Sequence, residues 1–422
     1  MDTPEKTLVI ILAETRAWEK TYENIQSNVI SPLNADVCVC IGVKPEYDYT
    51  NPFFANAKYR FTYNEPDDWA DAFNYAETVI TAATDTPITA AGYDTFENTN
   101  AIFGKLENYY SNTDNIEFLG RFSKIENILR CADVIANKYE EIVYHKENFC
   151  ENNWKFCAYG VIRAESPRGC SRFQHNVISL RRRDKTAPRE SWRRFLKIGD
   201  QFMGGVKDPE NQHPGSAGIL IFFRWFLMNK LKESGVIQQY DRFIITRSDY
   251  IWRLEHPKME LLPPDKIWVP DHEHYDGITD RHTVIPRSMM DVYCGLLNMM
   301  IENPTAAAAT GTGDNYFDKM LEKNKQGYRF NLEKFISFHL NEKKVNIGFF
   351  PYVMFSIRPH GVSTRWASGN IYNEEFQGYI KYISEYDHSN EYLNTYMNWC
   401  IANPERTITD FYREIIDAPA TL

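Results

Sequence analysis

The chain opens on unbroken apolar runs rather than alternating ones. Thr7–Ala13 (TLVIILA) and Asp36–Val43 (DVCVCIGV) have the character of parallel strands buried on both faces. Between them Trp18, Tyr22, Ile25 and Val29 recur at helical spacing as far as Pro32. The right-handed crossover rule sets these two strands parallel. No GxGxxG links them, so the opening is not a dinucleotide fingerprint. Residues 67–83 predict a helix with two acids in its first turn, where the helix dipole favours them. A longer helix is expected over 121–143, where Ile125, Ile128, Leu129, Ala132, Ile135, Tyr139 and Ile142 share one stripe. A strand is expected at 157–162.

From 163 to 213 the chain is polar, arginine-rich and punctuated by Gly and Pro, which predicts a long insertion or mobile flap. Ser216 then caps an apolar helix, 218–232, that runs into a strand at Arg242–Thr246. Lys266–Pro270 is a second short strand, and Thr283-Val284-Ile285 follows a polar loop. Helices are expected at 288–302, 314–321 and 331–340, a strand at 345–349, and a mostly helical tail from Glu374. Alternating strands and helices predict an α/β, Rossmann-like fold with a mixed, mainly parallel sheet flanked by helices. A catalytic domain would span 1–300, with its insertion at about 163–213. A mostly helical C-terminal region, 301–422, would pack on it.

Composition narrows the function classes. The net charge of −10 argues against general nucleic-acid binding, which needs a basic surface to neutralise phosphates. Nine arginines between Arg163 and Arg194 are a local exception. They read either as a solvated face or as a dock for an anionic acceptor or a diphosphate. Aromatic residues, 14% of the chain, suit sugar rings and nucleobases as well as ordinary cores. The eight cysteines include no CxxC pair, which makes a zinc ribbon unexpected. The N-terminal apolar run is too short for a signal h-region, and no segment has the length of a membrane span. These features together lead to an expectation of a reducing, cytoplasmic location.

Candidate chemistry gathers near the strand ends. Arg247-Ser248-Asp249 stands where a strand gives way to a loop, and its carboxylate could hold Mg²⁺ or Mn²⁺ together with diphosphate oxygens. The plainer reading is a strand-end Asp in a turn. Asp271-His272-Glu273-His274-Tyr275-Asp276 crowds ionisable groups into six residues. Gly277 then allows a close backbone approach to a ligand, and Asp280-Arg281 offers a base and a phosphate-binding guanidinium, or a local ion pair that orders the loop. Arg358, His360 and Arg365 share a Gly-containing loop that could close over a diphosphate, with His360 a further metal ligand. Gly311 and Gly313 lack the Walker lysine, which excludes a P-loop.

The strand ending in Arg247-Ser248-Asp249, the later Gly277-Ile278-Thr279-Asp280-Arg281, and Glu14-Thr15-Arg16 after the first strand carry a resemblance. They are similar to the GT-A-fold nucleotide-sugar glycosyltransferases, above all to a microbial and large-DNA-virus group with R-[SP]-D and G-x-x-D-R motifs. The resemblance covers 7–45 and 215–290. It implies a UDP- or GDP-sugar donor, a glycan or other hydroxyl acceptor, and inverting transfer assisted by Mn²⁺ or Mg²⁺. Asp249 and His360 would then hold the metal, with Asp249 the surviving acid of DxD; Arg247 stands where the first acid belongs. Ala13, Arg16, Arg224, Arg247, Arg281, Arg358 and Arg365 would contact the donor, and Asp280, or else Asp276, would deprotonate the acceptor. Two rivals stand beside it. One is a two-metal hydrolase or phosphoesterase using Asp249, His272, His274, Asp276 and Asp280. The other is a carbohydrate-binding protein without catalysis.

Overall fold

The computed structural model describes residues 5–84, 139–144, 154–156, 162–164, 178–182, 192–198, 201–207, 215–301, 316–358 and 371–417. In chain order the strands are β1 (Thr7–Ala13), β2 (Asp36–Val43), β3 (Tyr59–Asn64), β4 (Tyr139–Tyr144), β5 (Trp154–Phe156), β6 (Ile162–Ala164), β7 (Ile178–Arg182) and β8 (Arg242–Thr246). They continue as β9 (Tyr250–Trp252), β10 (Ile267–Pro270), β11 (His282–Pro286), β12 (Ile347–Phe350), β13 (Met354–Arg358), β14 (Tyr372–Asn373) and β15 (Gly378–Ile380). A seven-stranded sheet, ordered β12-β10-β11-β8-β1-β2-β3, forms the centre. β1 pairs in parallel with both β2 and β8, placing Leu12 opposite Cys40 and Ile11 opposite Thr246. Only β11 runs against its neighbours in this sheet. The α/β, mixed and mainly parallel architecture expected from the apolar runs is present.

Both faces of β1 and β2 are covered, which is why their sequences do not alternate. Leu8, Ile10, Leu12, Cys38 and Cys40 point into one core. That core is built on helices α2 (Ala70–Thr84) and α3 (Ala217–Glu233), and α3 is apolar nearly all round. Val9, Ile11, Val39 and Ile41 point into the other. There α1 (Trp18–Ile25) packs, as do residues from the C-terminal helices α5 (Ile383–Ala402) and α6 (Ile408–Asp417). Helix α4 (Leu332–Glu342) joins the first core through Leu332, Phe335 and Ile336. β3 alternates between half-buried and exposed residues, as a sheet edge does.

Three expectations change. Tyr139–Tyr144, taken as the end of a helix, is a strand paired antiparallel with β7; 121–138 lies outside the described residues. Its aromatic and β-branched residues satisfy either period over so short a run. The segment read as a flap reaches the main core: Trp192, Phe195, Ile198, Phe202 and Met203 are all buried there. Trp192 Nε1 donates to Asn74 of α2 at 3.1 Å, while Arg193 lies over the Trp192 ring and Arg194 over Phe195 and Phe317. Arginines that mimicked a solvated stretch are lying over aromatic faces. Finally, beyond the expected strand at 345–349, which is β12, the C-terminal segment contains β13, β14 and β15. β12 extends the main sheet beside β10, and β13 links β15 to β9 in a second, antiparallel sheet.

Candidate active site at the switch point of the sheet

From β1 the sheet order runs to β2 on one side and to β8 on the other. Open α/β sheets hold ligands at such a reversal, outside the C-terminal strand ends. A cleft of about 620 Å³ occupies this position here. Its walls come from the ends of β1, β2 and β8, the start of α3, and Asp280.

The backbone makes room for it abruptly. Ala13 closes β1 with φ of 71°, and Glu14 N–H bonds back to Leu12 O at 3.0 Å, a tight three-residue turn. An alanine in this conformation costs about 1–3 kcal/mol and persists only where its surroundings impose it. Ser248 supplies part of that restraint, since its hydroxyl donates toward Glu14 O (3.1 Å) and Arg16 O (3.0 Å). Thr21 of α1 in turn donates to Ser248 O at 2.6 Å. The middle residue of the Arg-Ser-Asp motif therefore pins the β1 loop to the tip of β8. On the far wall Thr15 bonds Tyr47 and Asn51, each at 2.8 Å, and Asn51 caps the turn Pro52–Ala55. Trp18 and Tyr47 give this wall two aromatic faces.

At the base lies Asp249, 2% exposed. Arg247 grips it with Nε to Oδ1 at 2.8 Å and Nη2 to Oδ2 at 2.5 Å. Lys381, just beyond β15, approaches Oδ2 at 3.4 Å. Burial alone would push the carboxyl up, but Arg247 and Lys381 outweigh it and hold the group well below the usual carboxylate range. Lys381 pays for its position: burial, then repulsion from Arg247, brings the ammonium down to about 8.

Asp280 enters the cleft from the loop before β11, the strand that pairs with β8, its side chain 10% exposed. Arg224 lies buried beneath it, with Nη2 donating to Asp280 O at 3.1 Å and standing 3.9 Å from Oδ2. Glu333, in the first turn of α4, is pushed up to about 7 by burial and by the negative charge of Asp280.

Of the residues singled out in the sequence, the cleft gathers Ala13, Arg16, Arg247, Asp249 and Asp280. Arg224 supports Asp280 from below instead of lining the wall. Arg281 turns away: it pairs with Glu385 and Glu273 and lies against the rings of Tyr275 and Tyr382. Asp276 is 83% exposed beside Lys334. Arg358 stacks on Tyr379 away from the cleft lining. His360 and Arg365 lie outside the described residues. Gly277 permits a close approach, but to protein: an added Cβ would stand 2.2 Å from the Glu333 backbone. His272 bonds Asp271 at 2.7 Å and stacks on His388, whereas His274 lies against Phe349. Sequence reasoning missed Lys381 and Glu333, each a lone charge in an unremarkable segment.

A divalent ion tests poorly against this donor set. Both oxygens of Asp249 are already engaged by cations, and among the described residues no three His, Cys, Asp or Glu side chains converge as metal ligands. Among the described residues, too, no helix is long and apolar enough to cross a membrane. Comparison with protein families, curated proteins and solved structures returned no match.

Proposed function

We propose that the chain is a glycosyltransferase that takes a nucleoside-diphosphate sugar in the switch-point cleft and transfers the sugar to a hydroxyl acceptor. One observation carries the reading. A cleft of nucleotide size joins aromatic residues, an arginine at the tip of β8 and, from the loop that leads into the neighbouring β11, the carboxylate of Asp280. The base would lie against Trp18 and Tyr47, and the diphosphate would point toward Arg247. Sugar transfer develops negative charge on the leaving phosphate and needs a base for the incoming hydroxyl, so the site needs both a cation and a carboxylate.

Asp280 is the base in this reading. Arg224 fixes the Asp280 backbone. GT-A membership would follow from the same reading, as would a glycan acceptor. The two-metal hydrolase draws less support, because Asp249, His272, Asp276 and Asp280 are directed to different partners.

The test is a thermal-shift screen against UDP-, GDP- and dTDP-sugars, with a CMP-sugar as the monophosphate control. A ligand at a hundred times its dissociation constant adds about 2.7 kcal/mol to stability. A clear rise in melting temperature with one nucleotide class, followed by release of that nucleoside diphosphate in the presence of acceptor, is the expected outcome. No shift with any of them would remove the reading.

A further inference from the structure

The base of the cleft carries more positive charge than its carboxylate can balance. Two cations, Arg247 and Lys381, meet one carboxylate, Asp249. Lys381 and Asp249 have side chains only 5% and 3% exposed. A surplus charge held away from water is costly unless something pairs with it. Glu385, which also acts on Lys381, is committed to Arg281, and acidic groups lining the cleft are engaged elsewhere or exposed. Glu14, which pairs with Arg16, Glu46 and Asp48 are exposed at the rim, and Glu65 faces Lys44 at 3.4 Å. Asp280 answers to Arg224.

Arg247 is shaped to meet an anion. Its Nε and Nη2 are committed to Asp249, which fixes the guanidinium plane, while Nη1 has no hydrogen-bond partner among the described residues. The side chain is 25% exposed and lines the cleft. A planar cation anchored on one edge and open on another is suited to phosphate oxygens.

We infer that Arg247, braced by Asp249 and backed by Lys381, binds the diphosphate of the nucleotide directly, so that the cleft takes a nucleoside diphosphate without a divalent ion. This rests on the proposed donor site, and it replaces the metal expected at Asp249. Arg247 touches the ligand. Lys381 is a positioning residue that acts through the field it adds behind Asp249. Around its ammonium stand Asp249, Arg247, Arg16 and Glu385, with the Tyr382 ring at 5.4 Å. An arriving diphosphate adds negative charge to this set and raises the lysine's proton affinity. Binding therefore takes up a proton above about pH 8 and weakens as pH rises further, by up to about tenfold per unit.

The experiment is calorimetric titration of UDP and of GDP into metal-stripped protein, with EDTA and again with excess Mn²⁺. The expected result is a dissociation constant in EDTA within about threefold of that in Mn²⁺. Arg247→Met should weaken binding in EDTA by at least about tenfold, the scale of one charge-assisted contact. Lys381→Met should weaken it below pH 8 and flatten the pH profile, while Lys381→Arg should keep the affinity and carry it unchanged past pH 9. Melting curves of each variant identify any that fail to fold; the EDTA comparison on the unaltered protein decides without them. Binding that appears only with Mn²⁺ would overturn the inference while leaving the nucleotide site standing. Failure of UDP and GDP to bind under either condition, together with no thermal shift from a dTDP-sugar, would overturn both.

Discussion

Two buried arginine clusters lie close together in this molecule with opposite charge imbalance. At the cleft, Arg247 and Lys381 share one carboxylate, Asp249. Behind it, Arg281 faces two carboxylates, Glu385 and Glu273. The second cluster is closed: Glu385 also accepts from Ser356 N (2.7 Å) and Ser356 Oγ (2.5 Å), and the rings of Tyr275 and Tyr382 lie against the guanidinium. It ties α5 to β13 and to the loop before β11. The first cluster ends at open space. One arrangement uses its arginine to hold elements together, and the other leaves an arginine edge facing a cavity. Burial and ion pairing alone do not separate structure from function; what lies on the unpaired side does.

Asp280 and Arg281 are the sharpest place to break this comparison, because adjacent residues fall on different sides of it. Asp280→Asn should lower sugar transfer by about 10²–10⁴-fold, the range for loss of a general base. Donor affinity should stay within a few-fold and the melting temperature should fall modestly, since buried Arg224 loses a distant charge partner at 3.9 Å but keeps its bond to the backbone at this position. Initial rates and donor titration on one preparation check this. A joint loss of donor affinity and rate would put Asp280 on the donor side.

Arg281→Met should do the reverse. Removing one partner of a buried pair typically costs about 3–5 kcal/mol, because it strands the other charge. Urea denaturation should show that loss, while a folded fraction at low temperature keeps its nucleotide affinity. Arg247→Met leaves Asp249 still matched by Lys381 and should cost far less stability. Equal losses from the two substitutions would erase the distinction.

Glu333 offers a smaller effect with a defined sign. Its folded value, about 7, lies above the ordinary carboxyl range. The folded state thus holds a proton that the unfolded state has released between roughly pH 4.5 and 7. The associated stability is complete below that window and lost as pH rises through about 7. Glu333→Gln should remove this loss, flattening stability between pH 5 and 8 by on the order of a few kcal/mol. Denaturant midpoints at four pH values measure it, and an unchanged slope would detach Glu333 from Asp280.

Much of the fold was legible because continuous apolar runs have few alternatives. Thr7–Ala13 and Asp36–Val43 are strands over the expected residues, and the helix after Ser216 begins one residue early. The site was legible where a motif ends a strand, as at Ala13, Arg247 and Asp249. It was not legible where partners come from far along the chain. Lys381 reaches Asp249 across 132 positions, and Glu385 reaches Arg281 across 104. Neither pairing leaves a local trace, and Asp280-Arg281 read as one unit because spacing says nothing of direction. The arginine-rich stretch misled for a related reason: Arg193 and Arg194 lie over aromatic rings that their own charge had disguised as surface.

Asp276 supplies the smallest expected effect and the finest control. It lies four residues before Asp280, in the same acidic loop, and was the other candidate base. Its side chain is 83% exposed, with Lys334 at 3.2 Å, and such pairs contribute little in water. The substitution matters, because φ at Asp276 is 63°. Alanine would be strained there, whereas asparagine tolerates the left-handed region and keeps nearly the same shape. Asp276→Asn should therefore change stability by no more than about 0.5 kcal/mol, as surface substitutions do. Transfer should remain within about twofold of the unaltered protein, a factor that corresponds to well under 1 kcal/mol in the barrier. Parallel rate measurements on Asp276→Asn and Asp280→Asn then isolate position from charge, since each removes one negative charge from the same loop. A matching fall in both would mean that the loop's overall field, rather than the carboxylate facing the cleft, controls the rate.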